Sequence, residues 1–156
     1  KQKLLSQIQH YKKRAPYYKN VVELLEASFQ FETESITVLN AHLLEQVCNY
    51  IGIDFEYEIY SEMDIEIGNI EHAGDWALQI SKSYGAQTYI NPNGGKSIFD
   101  LNSFKENNIE IKFLEFNNTE YQQKGQPFEA SLSIIDVLMF NSAEETKEML
   151  NNFTLL

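Results

Sequence analysis

Asp136 stands in an otherwise apolar run, between Ile134 and Ile135 on one side and Val137 and Leu138 on the other. A carboxylate buried there without a partner is costly, so the run calls for a backbone N–H, an arginine or a ligand to meet it. Burial can also raise a carboxyl's pKa and fit it for proton transfer. Asp136 is therefore a candidate catalytic residue, and equally a candidate tie between a helix and a neighbouring loop. A second grouping is Tyr89-Ile90-Asn91-Pro92-Asn93-Gly94-Gly95-Lys96. It leaves the end of an expected strand, the place where open α/β sheets bind ligands. Adjacent glycines let backbone N–H groups approach an anionic or polar ligand, while Asn91 and Asn93 offer donors and acceptors. The same composition suits a tight strand-to-helix connection with unusual backbone angles. Asp100, just beyond, either caps the next helical turn or holds a substrate hydroxyl.

Other polar groups carry less chemistry. Asp54, Glu56 and Glu58 share one face of an alternating segment and read as a solvated edge. His72 opens a helical segment and could serve as a base, but it has no evident partner in sequence. Cys48 lies beside Leu44 and Ile51 and reads as a buried structural thiol. Lys12, Lys13 and Arg14 complement a helix dipole or meet a phosphate. One Cys and three His give no metal-ligand spacing, so no metal is expected. There is also no phosphate-binding P-loop, dinucleotide fingerprint or nucleophile elbow.

The elements that must position these residues follow from periodicity. Leu4, Leu5, Ile8 and Tyr11 precede Pro16, and Val21, Val22, Leu25 and Phe29 follow it, so residues 1–30 read as helix in two pieces. Ile36, Leu39, Leu43, Val47 and Tyr50 predict a helix that Gly52 stops. Phe55, Tyr57 and Ile59 alternate with acids and predict a strand. A helix over Ala73–Tyr84, a strand at Thr88–Ile90, a helical turn at Phe99–Phe104 and a strand from Ile109 follow. The polar stretch 117–130 precedes an apolar helix over Leu132–Phe140, and a Ser142/Glu145 capping box opens a last helix ending near Phe153. This alternation predicts an α/β architecture, helices layered on a small, mostly parallel sheet.

With 156 residues, 43% of them hydrophobic, the chain can bury one core, and one domain over 1–156 is expected. The net charge of −11 argues against nucleic acid as a partner. No apolar run approaches the roughly 20 residues of a membrane helix. The basic start, Lys1 to Arg14, lacks a signal peptide's apolar stretch. A lone cysteine fits a reducing compartment, and a cytoplasmic location is expected.

The run Tyr89-Ile90-Asn91-Pro92-x-Gly94-Gly95, then Phe104, the Ile109–Phe116 strand, Tyr121-x-Gln123, Phe128 and Leu132-Ser133-Ile134-Ile135-Asp136-Val137-Leu138-Met139-Phe140-Asn141 resembles the WbqC-like protein family. Ala130 stands where relatives tend to have Pro. The family also carries an amino-terminal Gln-Pro and aromatic-rich block that this chain lacks, so the chain reads as a carboxy-terminal portion. The resemblance implies a part in building bacterial surface polysaccharide, with a sugar or nucleotide-sugar as the small-molecule substrate and transfer as the reaction. It implies that Asn91, Asn93, Gly94 and Gly95, with Tyr89, cradle the phosphorylated donor. Asp100, Gln123, Ser133 and Asp136 would surround it, the two aspartates as acid or base. A non-catalytic interaction or ligand-binding module of the same pathway is the alternative. Neither the motifs nor the resemblance names a cofactor or an oligomeric state.

Overall fold

The computed structural model describes residues 2–125 and 127–156. The chain folds into two compact units, one made of the residues up to Ile59 with Asn118–Asn152, the other of Tyr60–Asn117 with Phe153–Leu156.

The first unit is helical. Helix α1, Gln2–Gln7, buries no residue and gives way to a 3-10 turn at Gln9–Tyr11, so Ile8 and Tyr11 reach the core from irregular backbone. Helix α2, Tyr18–Ser28, begins two residues after Pro16. Helix α3, Ile36–Tyr50, starts where the Ser35 hydroxyl accepts from the Val38 N–H at 3.3 Å, and it stops at Gly52, whose φ of +69° only glycine adopts without strain. Helix α6, Ile134–Phe140, starts at the Ser133 cap, one residue inside the expected range. Helix α7, Ala143–Met149, carries the expected Ser142/Glu145 capping box. Val21, Ile51, Leu138 and Met139 form the buried centre, with Leu25, Val47 and Phe140 packed around it. Cys48 is half-buried and free.

Two expectations fail here. Residues 53–59 form no strand, because alternation needs a ladder partner and none pairs with them among the described residues. Phe55 instead stacks on Tyr57, their centroids 5.2 Å apart, and Tyr57 stays exposed. The last helix ends at Met149 rather than near Phe153, since Phe153–Leu155 extends as a strand against a sheet edge.

The second unit is an α/β layer, as the alternation predicts. Helix α4, Ala73–Ser83, is opened by His72 and Asp75 in a capping box. Strand β1, Thr88–Pro92, helix α5, Leu101–Glu106, strand β2, Glu110–Phe116, and strand β3, Phe153–Leu155, follow. The sheet order is β1-β2-β3, with β1 parallel and β3 antiparallel to β2. Leu78 of α4, Phe104 of α5 and Ile109 are its buried centre, and Phe113 of β2 is buried as well. The segment Asn93–Ile98 is a 3-10 turn in which neither Gly94 nor Gly95 has a positive φ, so the unusual backbone angles expected there are absent. Gly95 serves a different need: a Cβ on it would collide with the Asn91 side-chain amide. Gly74 allows an equally close approach, here to backbone. A Cβ there would run into the Ile98 carbonyl, so glycine is what lets the first turn of α4 lie on the 3-10 turn.

Candidate functional site

The residues singled out in sequence fall into both units. Gln123, Ser133 and Asp136 belong to the helical one, whereas Tyr89, Asn91, Asn93, Gly94, Gly95 and Asp100 belong to the sheet unit.

Asp136 is only 5% exposed, and its partners are all neutral. Tyr11 donates to Oδ2 at 2.6 Å, Tyr121 donates to Oδ1 at 2.6 Å, and Gln123 Nε2 donates to Oδ1 at 3.0 Å. Such short phenol-to-carboxylate bonds are the strong, charge-assisted kind. Gln123 is fixed in turn: its Nε2 also donates to the Glu129 carbonyl at 3.0 Å, and its Oε1 accepts from the Glu129 N–H at 2.7 Å. Ser133 caps α6 one turn before Asp136, its hydroxyl accepting from the Ile135 N–H. Burial, and then the bond to Asp136, pushes the Tyr121 phenol up to about 12. The Tyr11 phenol is raised by the same two causes in the same order. Both phenols therefore hold their protons at neutral pH and donate. The geometry makes Asp136 the hub that ties the segment before α2 to the 117–130 loop and to α6.

Asp100 is exposed and caps α5, accepting from the Asn102 N–H at 3.0 Å and the Ser103 hydroxyl at 2.7 Å. The Ser103 hydroxyl, followed by the Asn102 N–H, holds its carboxyl below the usual range. Asn91 is likewise engaged close to home: it accepts from Tyr89 Oη at 3.1 Å and donates to the Pro92 carbonyl at 2.9 Å. Asn93 begins the 3-10 turn, and Gly94 faces open space.

What sequence reading missed is a groove beside Tyr89. It has a volume of about 450 Å³ and is walled by Trp76, Ala77 and Ile80 of α4, by Ile98 and Phe99, and by Tyr89 of β1. Trp76 is 42% exposed, a large apolar ring left partly open to solvent while it makes a T-shaped contact with Tyr60, centroids 5.2 Å apart at 81°. Tyr89 is braced by Phe99 and Phe104, each ring centre 5.7 Å away. The groove thus has aromatic walls, and the hydroxyl of one wall residue, Tyr89, is bonded to the Asn91 side chain. Helical spacing put Trp76 in the expected stripe, and nothing local marked that it would remain open.

Among the described residues no cluster of His, Cys, Asp and Glu could hold a metal ion, and no helix is long and apolar enough to cross a membrane. A family model described as the WbqC-like protein family matches residues 1–148. An uncharacterized protein of Mycobacterium tuberculosis (strain ATCC 25618 / H37Rv), Rv1507c, is 26% identical over 117 residues, which cover 74% of this chain and 48% of that protein. The chain thus spans about half the length of the curated relative it matches. No solved structure matches it.

Proposed function

The chain belongs to the WbqC-like protein family, and from that premise we propose that it binds a sugar or nucleotide-sugar precursor and serves a transfer step in bacterial cell-surface polysaccharide synthesis. The observation that carries the reading is the groove walled by Trp76 and Tyr89. Its volume lies within the range of small-molecule sites, about 300–1,000 Å³. A half-exposed indole suits the apolar C–H face of a pyranose or the face of a nucleobase, and the Tyr89 and Ser81 side chains are the polar groups among the lining residues that could meet hydroxyls.

Within this reading Asp136 holds the helical unit together, since two phenols and an amide already occupy its oxygens. Asp100 has the part of a helix cap. That engagement of both candidate acids favours a second reading, in which the chain is a ligand-binding module without acid–base chemistry of its own. Thermal-shift screening of the chain against nucleotide sugars and sugar phosphates tests what the two readings share. A stabilised melting point is expected with at least one class, and a flat response to all of them overturns the proposal. Turnover separates them. A transferase loses activity on Trp76→Ala, whereas a module releases no product with any donor it binds.

A further inference from the structure

We infer that the groove beside Tyr89 selects a sugar carrying an acylamino group, and that the Ser81 hydroxyl is the group that reads the amide. The inference rests on the proposed binding of a precursor there and narrows its chemical class. The groove exists because Ala73, Ala77 and Ser81 recur every four residues along α4, a line of small side chains beside the bulkier Trp76 and Ile80. Ser81 is only 6% exposed. A buried hydroxyl in a helix commonly returns to the carbonyl four residues back, and two others in this chain do so: Ser28 donates to Leu24 at 2.7 Å and Thr146 to Ser142 at 2.8 Å. Ser81 makes no such bond to Ala77, and its hydroxyl has no partner among the described residues. Nor is it one of the unpartnered side-chain atoms closed to solvent there, which are Arg14 Nη2 and His42 Nε2. The hydroxyl thus keeps its proton and its lone pairs for a molecule in the groove that Ser81 lines.

Tyr89 is the other polar side chain of the lining. Its phenolic proton goes to Asn91 Oδ1 at 3.1 Å, which leaves the Tyr89 oxygen as an acceptor. The remaining walls are apolar, and no lining residue carries a charge. An acylamino group matches this set. Its carbonyl accepts from Ser81, its N–H donates to Tyr89, and its methyl group lies against apolar wall. A free ammonium would enter the same groove with no carboxylate on the lining, and a phosphoryl group would find no cation there, so both are costly to desolvate. The glycosyl ring is therefore the part of the precursor that the groove holds.

Trp76 emission of the full chain, titrated with the methyl glycosides of N-acetylglucosamine, glucosamine and glucose and of their galacto counterparts, tests the inference. A saturable change is expected with an N-acetyl glycoside, at least about fivefold tighter than with the matching plain hexoside and tighter again than with the amino form. Ser81→Ala removes a hydroxyl that nothing in the chain uses, so its melting point should match wild type. Its affinity for the N-acetyl glycoside should fall about two- to tenfold, as the loss of one hydrogen bond implies, and its preference over the plain hexoside should shrink to within about twofold. The same sugars linked to uridine diphosphate form a second arm, in which the same preference and the same dependence on Ser81 are expected. Binding in either arm that ignores the N-acetyl group, or a preference that survives Ser81→Ala, overturns the inference and leaves the proposed function standing. Constant emission with both the glycosides and the nucleotide-linked sugars overturns the two together.

Discussion

Replacing Tyr11 with Phe removes one hydroxyl and leaves the ring that packs edge-on against Phe140, centroids 5.8 Å apart. The Asp136 carboxylate then keeps Tyr121 and Gln123 on Oδ1 but has no donor on Oδ2. A hydrogen bond to a charged acceptor contributes about 1.5–3 kcal/mol, and an oxygen left unsatisfied in a site 5% exposed has little water to turn to. The expected loss on Tyr11→Phe is therefore about 2 kcal/mol, within a range of about 1.5–3 kcal/mol. Urea unfolding followed by circular dichroism reads it as a lower midpoint with an unchanged slope. The charge on Asp136 should account for much of this. In an Asp136→Asn background the bond is between neutral groups, and the same substitution should cost only about 0.5–1.5 kcal/mol. A Tyr11→Phe chain within about 0.5 kcal/mol of wild type, or an equal cost in both backgrounds, refutes the view of Asp136 as a charged hub.

The same cluster gives an alkaline signature. Below the ordinary phenol pKa of about 10 the folded and unfolded chains both hold these protons, and the stabilisation is complete. Between that value and about 12, where the folded Tyr121 phenol releases its proton, the unfolded chain binds fewer protons than the folded one, so stability falls as pH rises. Melting temperature against pH should show that fall in wild type and a shallower one in the Tyr11→Phe/Tyr121→Phe double variant. Gly74→Ala should cost about 1–3 kcal/mol through contact with the Ile98 carbonyl and should alter Trp76 fluorescence, since both residues lie on α4 beside the groove. Met139→Ala, at a fully buried position of the helical unit, should cost about 2–5 kcal/mol in the same unfolding assay. Asp100→Asn should leave any transfer activity at the wild-type level, and its loss would return Asp100 to the chemistry.

Helix limits were legible wherever a side chain signs the end locally. Ser35 and Gly52 bracket α3, and Ser142 with Glu145 opens α7. Strand β2 was legible because Ile109, Ile111 and Phe113 alternate against a real core. The same alternation at Phe55–Ile59 misled, since pairing depends on a partner strand that local pattern does not reveal. Strand β3 was invisible for the converse reason: its three exposed residues extend only because the β2 edge receives them. Asp136 was recognisable as a buried acid in need of partners, and Gln123 was named with it. Tyr11 lies 125 residues away in sequence, and only the fold brings its hydroxyl to Oδ2. The glycine pair pointed to left-handed backbone, whereas Gly95 is there to make room for the Asn91 amide.

Trp76 is the only tryptophan in the chain, so its fluorescence reports the groove without labelling. Titrating the chain with a panel of nucleotide sugars and the corresponding sugar phosphates should produce a saturable change in that emission for at least one member. Tyr89→Phe should weaken it several-fold by removing the hydroxyl that meets Asn91. Emission that stays constant across the whole panel, in a chain shown to be folded, would contradict the assignment of this groove as the precursor-binding site.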